Sequence, residues 1–390
     1  MTLITRHIVQ TIKDTLQMYP ILALTGPRQS GKTTLLKELF PDFRYISLEN
    51  PDNRNFASTD PNGFLEEFHS KVIFDEVQRV PELFSYLQSS VDDRNREMGL
   101  YVLSGSQNFH LMHSITQSLA GRVAIFKLFP LDFNEMKGAQ LMKNDFIDLS
   151  IKGFYPGVYD RNIPPKVFYS NYIETYLNRD IGELVAIRDL KLFQNFIALC
   201  ATRAGQLLNL NGLANECGIS QPTAKAWLSA LDQSYITFQL HPYYKNFSKR
   251  IIKTPKLYFY DTGLLCHLLK INSREKLIKN PIKGAVFENM MIAEYVKQMH
   301  HQNNAQDIWY WRDVSGNEVD LLVDHGENLE IIEFKATQTI KSDMFDSLTK
   351  FETISQLPNL DKKLIYSGTA SQKRSIGRLV SWKDFGVSSE

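Results

Sequence analysis

The sequence predicts an α/β protein that begins with a parallel β-sheet covered by helices on both faces. Five short apolar runs in the first third of the chain are separated by helical or polar stretches, and this alternation is typical of such a sheet. A glycine-rich turn follows the first run directly and leads into a predicted helix. The length of 390 residues allows two to three domains at about 150 residues each.

The elements of the first domain follow one another in a regular order. Ile8, Ile12 and Leu16 recur every four positions and predict an amphipathic helix over 6–18. A stretch rich in polar residues, glycine and proline (138–160) then indicates a boundary, so we expect the first domain to span 1–137. The apolar runs predict strands over 21–25, 43–48, 72–74, 100–103 and 123–129.

The turn after the first strand fits the phosphate-binding pattern G-x-x-x-x-G-K-[ST]. Its glycines let backbone N–H groups surround phosphates, Lys32 reaches the β and γ oxygens, and the Thr33 hydroxyl is a ligand for Mg²⁺. The helix that follows adds the partial positive charge of its N-terminus. The sequence therefore predicts a nucleotide site formed by Gly26, Pro27, Arg28, Gln29, Ser30, Gly31, Lys32, Thr33 and Thr34.

Two carboxylates end the third predicted strand. Asp75 is positioned to hold Mg²⁺ through water, and the adjacent Glu76 is positioned to polarise an attacking water. In isolation a solvated acidic turn would be the simpler interpretation, but the phosphate loop upstream favours the catalytic one. The pair therefore predicts hydrolysis of the nucleotide rather than storage.

Two further segments supply candidates for contact with the transferred phosphate. Ser104, Ser106 and Asn108 end or follow the fourth strand; the sequence does not choose among them, and we include Ser106 with the predicted nucleotide-binding residues. Arg122 precedes the fifth strand and predicts an arginine finger that reaches a nucleotide in a neighbouring subunit. An ordinary surface salt bridge fits Arg122 equally well.

Together these motifs resemble those of the AAA-type ATPases that carry a C-terminal domain of unknown function, number 4143. The runs that carry the resemblance are 26–34, 72–81, 103–108 and 118–122. The likeness continues through 176–181, 244–246 and 255–263 and so covers nearly the whole chain. It implies ATP as the nucleotide and an assembly of identical subunits. For the second arginine sensor usual in such proteins, Arg179, Arg188 and Arg203 remain alternatives.

The middle of the chain predicts a helical domain with a winged helix over 160–275. Ala214, Gly218 and the apolar positions around them have helix-turn-helix spacing, and Ser220 and Pro222 favour the start of a second helix. Between 241 and 283 there are ten basic residues against two acidic ones. This local excess is typical of a DNA-backbone partner, whereas the alternative is a packing adaptor with a solvated basic face.

The C-terminal segment predicts a smaller α/β domain over 284–390. Asp320 on one strand and Glu333 and Lys335 on the next form a D…E-x-K pattern, which resembles the core of the PD-(D/E)xK nucleases and their restriction-endonuclease-like fold. Two carboxylates would bind Mg²⁺ or Mn²⁺, the lysine would orient water, and Glu288 is a candidate third ligand. An inert scaffold in which Glu333 and Lys335 form a structural ion pair fits the pattern equally well.

Composition excludes several other classes of protein. The net charge of +1 gives no global field for a nucleic-acid or membrane partner, and no apolar stretch is long enough to span a membrane. The three cysteines lack the spacing of a zinc site or a disulfide framework, so we expect a cytoplasmic protein. Two functions remain: an ATPase that acts on DNA, or a nucleotide-gated interaction protein with an inert C-terminal scaffold.

Overall fold

The computed structural model describes residues 4–94, 97–105, 115, 118–181, 189–243, 253–304 and 306–386. The chain packs into two compact units. The first comprises Met1–Leu131 with two short returns of the chain, Gln233–Tyr235 and His300–Asn303. The second comprises the rest, so most of the segments predicted as middle and C-terminal domains share one unit.

The first unit is built on a five-stranded parallel sheet, as predicted. Its strands are β1 (Ile21–Thr25), β2 (Arg44–Ser47), β3 (Val72–Asp75), β4 (Tyr101–Ser104) and β5 (Val123–Lys127). Their spatial order is β2-β3-β4-β1-β5, and every neighbouring pair is parallel. Because β4 lies between β1 and β3 and runs parallel to both, the carboxyl ends of these three strands lie side by side at one edge of the sheet. In open α/β sheets, ligands bind at that edge.

Helices cover both faces of this sheet. On one face Ile12, Leu16 and Leu36 pack with Leu22 and Leu24 of β1. On the other face residues of the third to fifth helices pack against the opposite side of the same strands. The first helix spans Val9–Leu16 and is therefore shorter than the predicted range of 6–18. The helices of this unit are α1 (Val9–Leu16), α2 (Lys32–Leu39), α3 (Pro51–Thr59), α4 (Pro61–Glu67) and α5 (Leu83–Asp92), with a 3₁₀ turn at Val77–Arg79.

The second unit begins with a series of helices. Several start at side-chain caps; for example, the Asp132 carboxylate accepts a hydrogen bond from the Glu135 N–H group at 2.8 Å. The helices are α6 (Phe133–Gly138), α7 (Phe146–Lys152), α8 (Pro156–Asp160), α9 (Pro165–Tyr172), a π-helix (Ile173–Ile181), α10 (Leu190–Thr202), α11 (Leu210–Cys217), α12 (Gln221–Gln233), α13 (Thr262–Leu268) and α14 (Arg274–Lys279).

The predicted helix-turn-helix segment forms two helices, α11 and α12, joined by a tight turn. Gly218 has a φ of 73°, a left-handed conformation that favours glycine at the end of a helix. Ser220 begins the next helix, since its hydroxyl accepts a hydrogen bond from the Thr223 N–H group at 3.2 Å. Strands β6 (Thr237–Leu240) and β7 (Lys256–Phe259) follow as an antiparallel pair, and most of the basic loop between them lies outside the described residues.

The C-terminal part of the second unit is a six-stranded mixed sheet. Its elements are α15 (Lys283–His301), β8 (Asp307–Arg312), β9 (Glu318–Asp324), β10 (Leu329–Lys335), α16 (Asp346–Ser355), β11 (Leu360–Tyr366), β12 (Gln372–Arg374) and β13 (Gly377–Ser381), with 3₁₀ turns at Ser342–Phe345 and Trp382–Asp384. The spatial order of the strands is β12-β13-β11-β10-β9-β8, and α16 packs on one face through Leu348 and Phe351.

None of the helices in the described parts of the chain combines the length and the apolar character needed to cross a bilayer.

Candidate nucleotide site and C-terminal acidic cluster

The phosphate loop connects β1 to α2, and its two glycines are required by its backbone. Gly26 has a φ of 144°, and a Cβ atom there would lie 2.1 Å from the carbonyl oxygen of Leu128. Gly31 has a φ of 98° and immediately precedes the first residue of α2. Any larger residue would strain both positions. Because α2 begins at Lys32, directly after the loop, the N–H groups and dipole at its N-terminus favour an anion at this position.

Lys32 and Arg6 both stabilise the phosphate loop by donating hydrogen bonds to backbone carbonyl oxygens. The Lys32 ammonium donates hydrogen bonds to the carbonyl oxygens of Gly26 and Pro27, each at 2.9 Å. The buried Arg6 guanidinium donates to the carbonyl oxygens of Ser30 at 2.8 Å and Phe129 at 2.7 Å. Sequence analysis placed Arg6 in an amphipathic helix; the structure instead uses it to fix the loop.

Burial changes the acid–base behaviour of Lys32. Desolvation lowers its pKa to about 8, although Glu76 and Asp75 counteract part of that shift. Phosphate binds the protonated ammonium, so above pH 8 the free protein must take up a proton in order to bind ATP. We therefore expect affinity for a non-hydrolysable ATP analogue to fall by roughly tenfold per pH unit above this value.

Calorimetry in buffers of different ionisation enthalpy measures this proton uptake directly. The expected uptake at pH 9 approaches one proton more than at pH 7. An affinity that stays constant from pH 7 to 9.5, corrected for the titration of the analogue itself, would contradict the assignment of Lys32 as the titrating group.

The Asp75 carboxylate accepts hydrogen bonds from three hydroxyl groups at the carboxyl edge of the sheet. Thr33 donates to its Oδ2 atom at 3.0 Å, Tyr45 donates to the same atom at 2.5 Å, and Ser104 donates to Oδ1. These residues come from α2, β2 and β4, so the parallel order of the sheet brings them together. Thr33 and Asp75 were predicted from sequence, and Ser104 was one of three open alternatives. Tyr45 was missed because its strand carries no motif.

Glu76 follows Asp75 in an unusual backbone conformation. Its φ of 56° and ψ of 40° are left-handed, a conformation that costs a non-glycine residue about 1–3 kcal/mol and occurs often at functional sites. The Gln78 side-chain amide donates to Glu76 Oε2 at 2.5 Å. The turn and the Gln78 amide therefore hold the Glu76 carboxylate in place; Gln78 was not among the predicted site residues.

Arg122, Ser106 and Asn108 were the remaining candidates for contact with the transferred phosphate. Arg122 forms a two-pronged ion pair with Asp92 of its own chain, with Nε to Oδ1 at 2.6 Å and Nη2 to Oδ2 at 2.8 Å. This is the surface salt bridge that sequence analysis gave as the alternative, and the finger role stays a prediction. Ser106 and Asn108 lie outside the described residues.

The donors at the loop fit a nucleotide with its metal ion. The Ser30 hydroxyl is buried and has no hydrogen-bond partner in the described structure, which a phosphate oxygen would supply. The oxygens of Thr33 and Asp75 are the hard ligands that Mg²⁺ prefers. The first unit therefore has the chemical groups of an ATP–Mg²⁺ site.

The second unit contains an acidic cluster of four carboxylates: Glu288, Glu318, Asp320 and Glu333. Glu333 and Lys335 lie on one face of β10, as predicted, and form an ion pair at 2.5 Å. The Ser347 hydroxyl donates to the other Glu333 oxygen at 2.9 Å. Asp320 Oδ2 accepts the Phe334 N–H group at 2.9 Å. The predicted D…E-x-K residues are therefore neighbours in space.

Lys256 enters this cluster from β7. Its ammonium lies 2.5 Å from Glu318 Oε1, 3.1 Å from Glu288 Oε1 and 4.0 Å from Asp320 Oδ1. Lys256 is one of the ten basic residues counted between 241 and 283 as a DNA-backbone contact or, alternatively, a solvated basic face; for this residue both interpretations are wrong, because it is only 1% exposed. Its partners are long-range in sequence, so no local pattern could have revealed the burial.

In this cluster, burial and pairing with opposite charges shift the pKa values of the ionisable side chains in opposite directions. Desolvation raises the pKa of Asp320 well above its usual range, and the negative charges of Glu333 and Glu288 add to that shift. Desolvation alone would lower the pKa of Lys256, but the surrounding acidic groups outweigh it and raise the pKa. The carboxylates around Lys256 therefore favour its protonated form.

The parallel sheet, the loop and the Asp75 cluster define the class: a P-loop nucleotide-binding protein. Residues 18–137 match the family model described as AAA domain, 283–385 match the domain of unknown function DUF4143, and 143–275 match another, DUF8612. Uncharacterised proteins of Mycobacterium tuberculosis (Rv2008c) and Mycobacterium bovis (Mb2031c) are each 30% identical over 339 residues, covering 86% of this chain and 74% of theirs. The chain belongs to their family, the AAA-type ATPases with a C-terminal DUF4143 domain.

The chain is also similar to a solved structure, the Walker-type ATPase PABY2304 of Pyrococcus abyssi. The two share 15% identity, and the match covers 67% of this chain and 94% of that one with a TM-score of 0.44.

Proposed function

We propose that this protein binds and hydrolyses ATP at the phosphate loop of its first unit. The observation that carries the proposal is the convergence of Thr33, Ser104 and Tyr45 on Asp75, directly beside the oriented carboxylate of Glu76. Backbone strain at a non-glycine residue such as Glu76 is common at functional sites, and this supports a catalytic role for its carboxylate. Lys32 and the loop N–H groups would hold the β- and γ-phosphates, and Glu76 would accept the proton of the attacking water.

Thr33 and Asp75 would hold Mg²⁺, which neutralises charge on the β- and γ-phosphate oxygens. Tyr45 and Ser104 hold the Asp75 carboxylate in one orientation by hydrogen bonds to its two oxygens. Such support of a metal-binding carboxylate by its neighbours tunes the affinity for the ion.

We further propose that ATP turnover serves an action on DNA, with 1–137 as the ATPase segment, 160–275 as the DNA-binding segment and 284–390 as the nuclease-like segment. The helix pair α11–α12 and the hairpin β6–β7 after it support this, since such pairs place a helix in the DNA major groove. The basic residues of the hairpin loop would contact phosphates independently of sequence.

Replacing Lys249, Arg250 and Lys253 with Gln tests this interface. We expect weaker binding to unrelated duplexes alike, because phosphate contacts carry no base information. The slope of log affinity against log salt should become shallower by about 0.9 per lost phosphate contact, as measured by fluorescence anisotropy from low to moderate salt. Lys13→Gln, an exposed charge change on α1 of the first unit, is the control. An unchanged salt slope in the triple variant would place the DNA contact elsewhere.

The second candidate function is a nucleotide-gated interaction protein with an inert C-terminal part. The Glu333–Lys335 ion pair and the burial of Lys256 among the carboxylates favour this candidate. Incubation with ATP, Mn²⁺ and single-stranded, duplex and branched DNA separates the two. Cleavage that Asp320→Ala abolishes, with ATP hydrolysis intact, supports the nuclease; absence of cleavage on every substrate supports the scaffold.

A further inference from the structure

The position of Lys256 is fixed by the backbone around it. On one side β7 pairs with β6 through Lys256 and Leu240, and on the other Lys256 forms an isolated bridge with Leu207. The neighbouring Leu257 exchanges hydrogen bonds with the chain at Gly205 and Gln206, at 2.8 and 3.1 Å. A residue held from both sides cannot move without rearranging the hairpin.

The partner helix α15 is docked onto the same strand. The buried Asn289 amide accepts the Phe259 N–H group and donates to the Phe259 carbonyl oxygen, both at 2.8 Å. Lys256 and Tyr258 lie on one face of β7, and both reach Glu288: the Tyr258 hydroxyl donates to Glu288 Oε1 at 2.6 Å. The strand therefore presents two donors to a carboxylate that a specific backbone contact holds in place.

The acidic cluster does not bring three carboxylates together around one position in this arrangement. Mg²⁺ takes oxygen ligands at about 2.0–2.1 Å in octahedral geometry, so carboxylates that share one ion must have oxygens close together. Among the residues that the structure describes, no selection of oxygens from Glu288, Asp320 and Glu333, or from Glu288, Glu318 and Asp320, lies mutually within 4.8 Å. The carboxylates are instead spread around the ammonium of Lys256.

The charges of the cluster are also close to balance without a metal ion. Four carboxylates face three cationic side chains: Arg312 pairs with Glu318 at 2.8 Å, Lys256 with Glu318 and Glu288, and Lys335 with Glu333. The formal charge of this set is −1 without a divalent ion and would be +1 with one, so the three cations already neutralise most of the negative charge that a metal ion would otherwise balance. Buried ions are tolerated only where they are paired and hydrogen-bonded.

We propose that the ammonium of Lys256 is the resident cation of the acidic cluster, in the space that a divalent ion would need, so that the cluster holds no metal while β7 is in place. The D…E-x-K residues then serve to lock the β6–β7 hairpin to the C-terminal sheet. This inference rests on the second candidate function, the inert C-terminal part, which it deepens, and it is independent of the ATP hydrolysis proposed for the first unit.

Counting bound Mn²⁺ per chain by electron paramagnetic resonance tests the proposal on full-length protein without nucleotide. The variants are Lys256→Met, Asp320→Asn and the double variant Lys256→Met with Asp320→Asn. We expect wild type and Asp320→Asn to bind the same number of ions, since the cluster contributes none. Lys256→Met should bind one ion more than wild type, and the double variant should lose that ion again.

Two results would overturn the proposal. One is a wild-type protein that binds one ion more than Asp320→Asn, because the cluster would then hold a metal beside Lys256. The other is a folded Lys256→Met protein that binds no more Mn²⁺ than wild type. Should Lys256→Met fail to fold, Lys256→Met with Glu318→Gln removes one negative charge with the positive one and is judged by the same two criteria. The comparison of wild type with Asp320→Asn is decisive for the first criterion in either case.

Discussion

Lys32→Ala should lose ATP binding, whereas Glu76→Gln should bind ATP normally and fail to turn it over. In the proposed mechanism the lysine would contact phosphates in the ground state, and a hydrogen bond to a charged group contributes about 1.5–3 kcal/mol. Affinity should therefore fall by up to about 100-fold. The glutamate acts on water only during the reaction, so its loss should lower turnover by about 10²–10⁴-fold. Binding of a fluorescent ATP analogue beside phosphate release measures both effects.

Gln78→Leu is the matched control for this pair. Gln78 touches Glu76 and does not belong to the phosphate loop, so its loss should lower turnover less than Glu76→Gln does and leave affinity unchanged. Normal phosphate release by the Glu76→Gln protein would remove the catalytic assignment. Full ATP affinity in Lys32→Ala would remove the assignment of the loop.

Arg122→Ala should lower turnover by about 10³–10⁵-fold if the protein assembles and the guanidinium serves the neighbouring subunit, which is the contribution of an arginine finger in related chemistry. Inactive Arg122→Ala and Lys32→Ala subunits, once mixed, should then recover part of the activity. Each mixed interface can supply the arginine of one chain and the loop of the other. Phosphate release by mixed samples is the measurement.

The ion pair with Asp92 supplies the control for this experiment. Asp92→Asn leaves Arg122 in place and removes its charged partner, so a finger role predicts turnover at least as fast as in wild type. A purely structural salt bridge predicts that Arg122→Ala and Asp92→Asn behave alike, with small effects, because solvent screens exposed ion pairs and they contribute little. Absence of recovery in demonstrably mixed oligomers would also contradict the finger.

Local patterns were sufficient for the framework of the nucleotide site. The spacing of Gly26, Gly31, Lys32 and Thr33 is set by one strand-turn-helix connection, and the apolar runs predicted all five strands of the sheet within a few residues. Asp75 was predictable because it ends a buried strand. The helix pair around Gly218 was predictable because its turn and cap are contained in a few consecutive residues.

The remaining site residues depend on contacts that are distant in sequence. Arg6 reaches Phe129 across 123 residues, and Tyr45 reaches Asp75 across 30. Lys256 is the extreme case: it carries the same charge as its neighbours in the sequence, and only the docking of β7 on α15 separates it from a solvated lysine. No local propensity encodes that difference.

Phosphate release by the full-length wild-type protein, with Mg²⁺ and ATP and with duplex DNA absent or present, tests the central claim most directly. We predict Mg²⁺-dependent release that increases when DNA is added and that disappears in the Glu76→Gln protein under both conditions. Release that is absent from wild type, or equal in wild type and Glu76→Gln, would contradict hydrolysis at this site. Release that requires Glu76 but ignores DNA would contradict the DNA-linked function and leave the nucleotide-gated interaction protein.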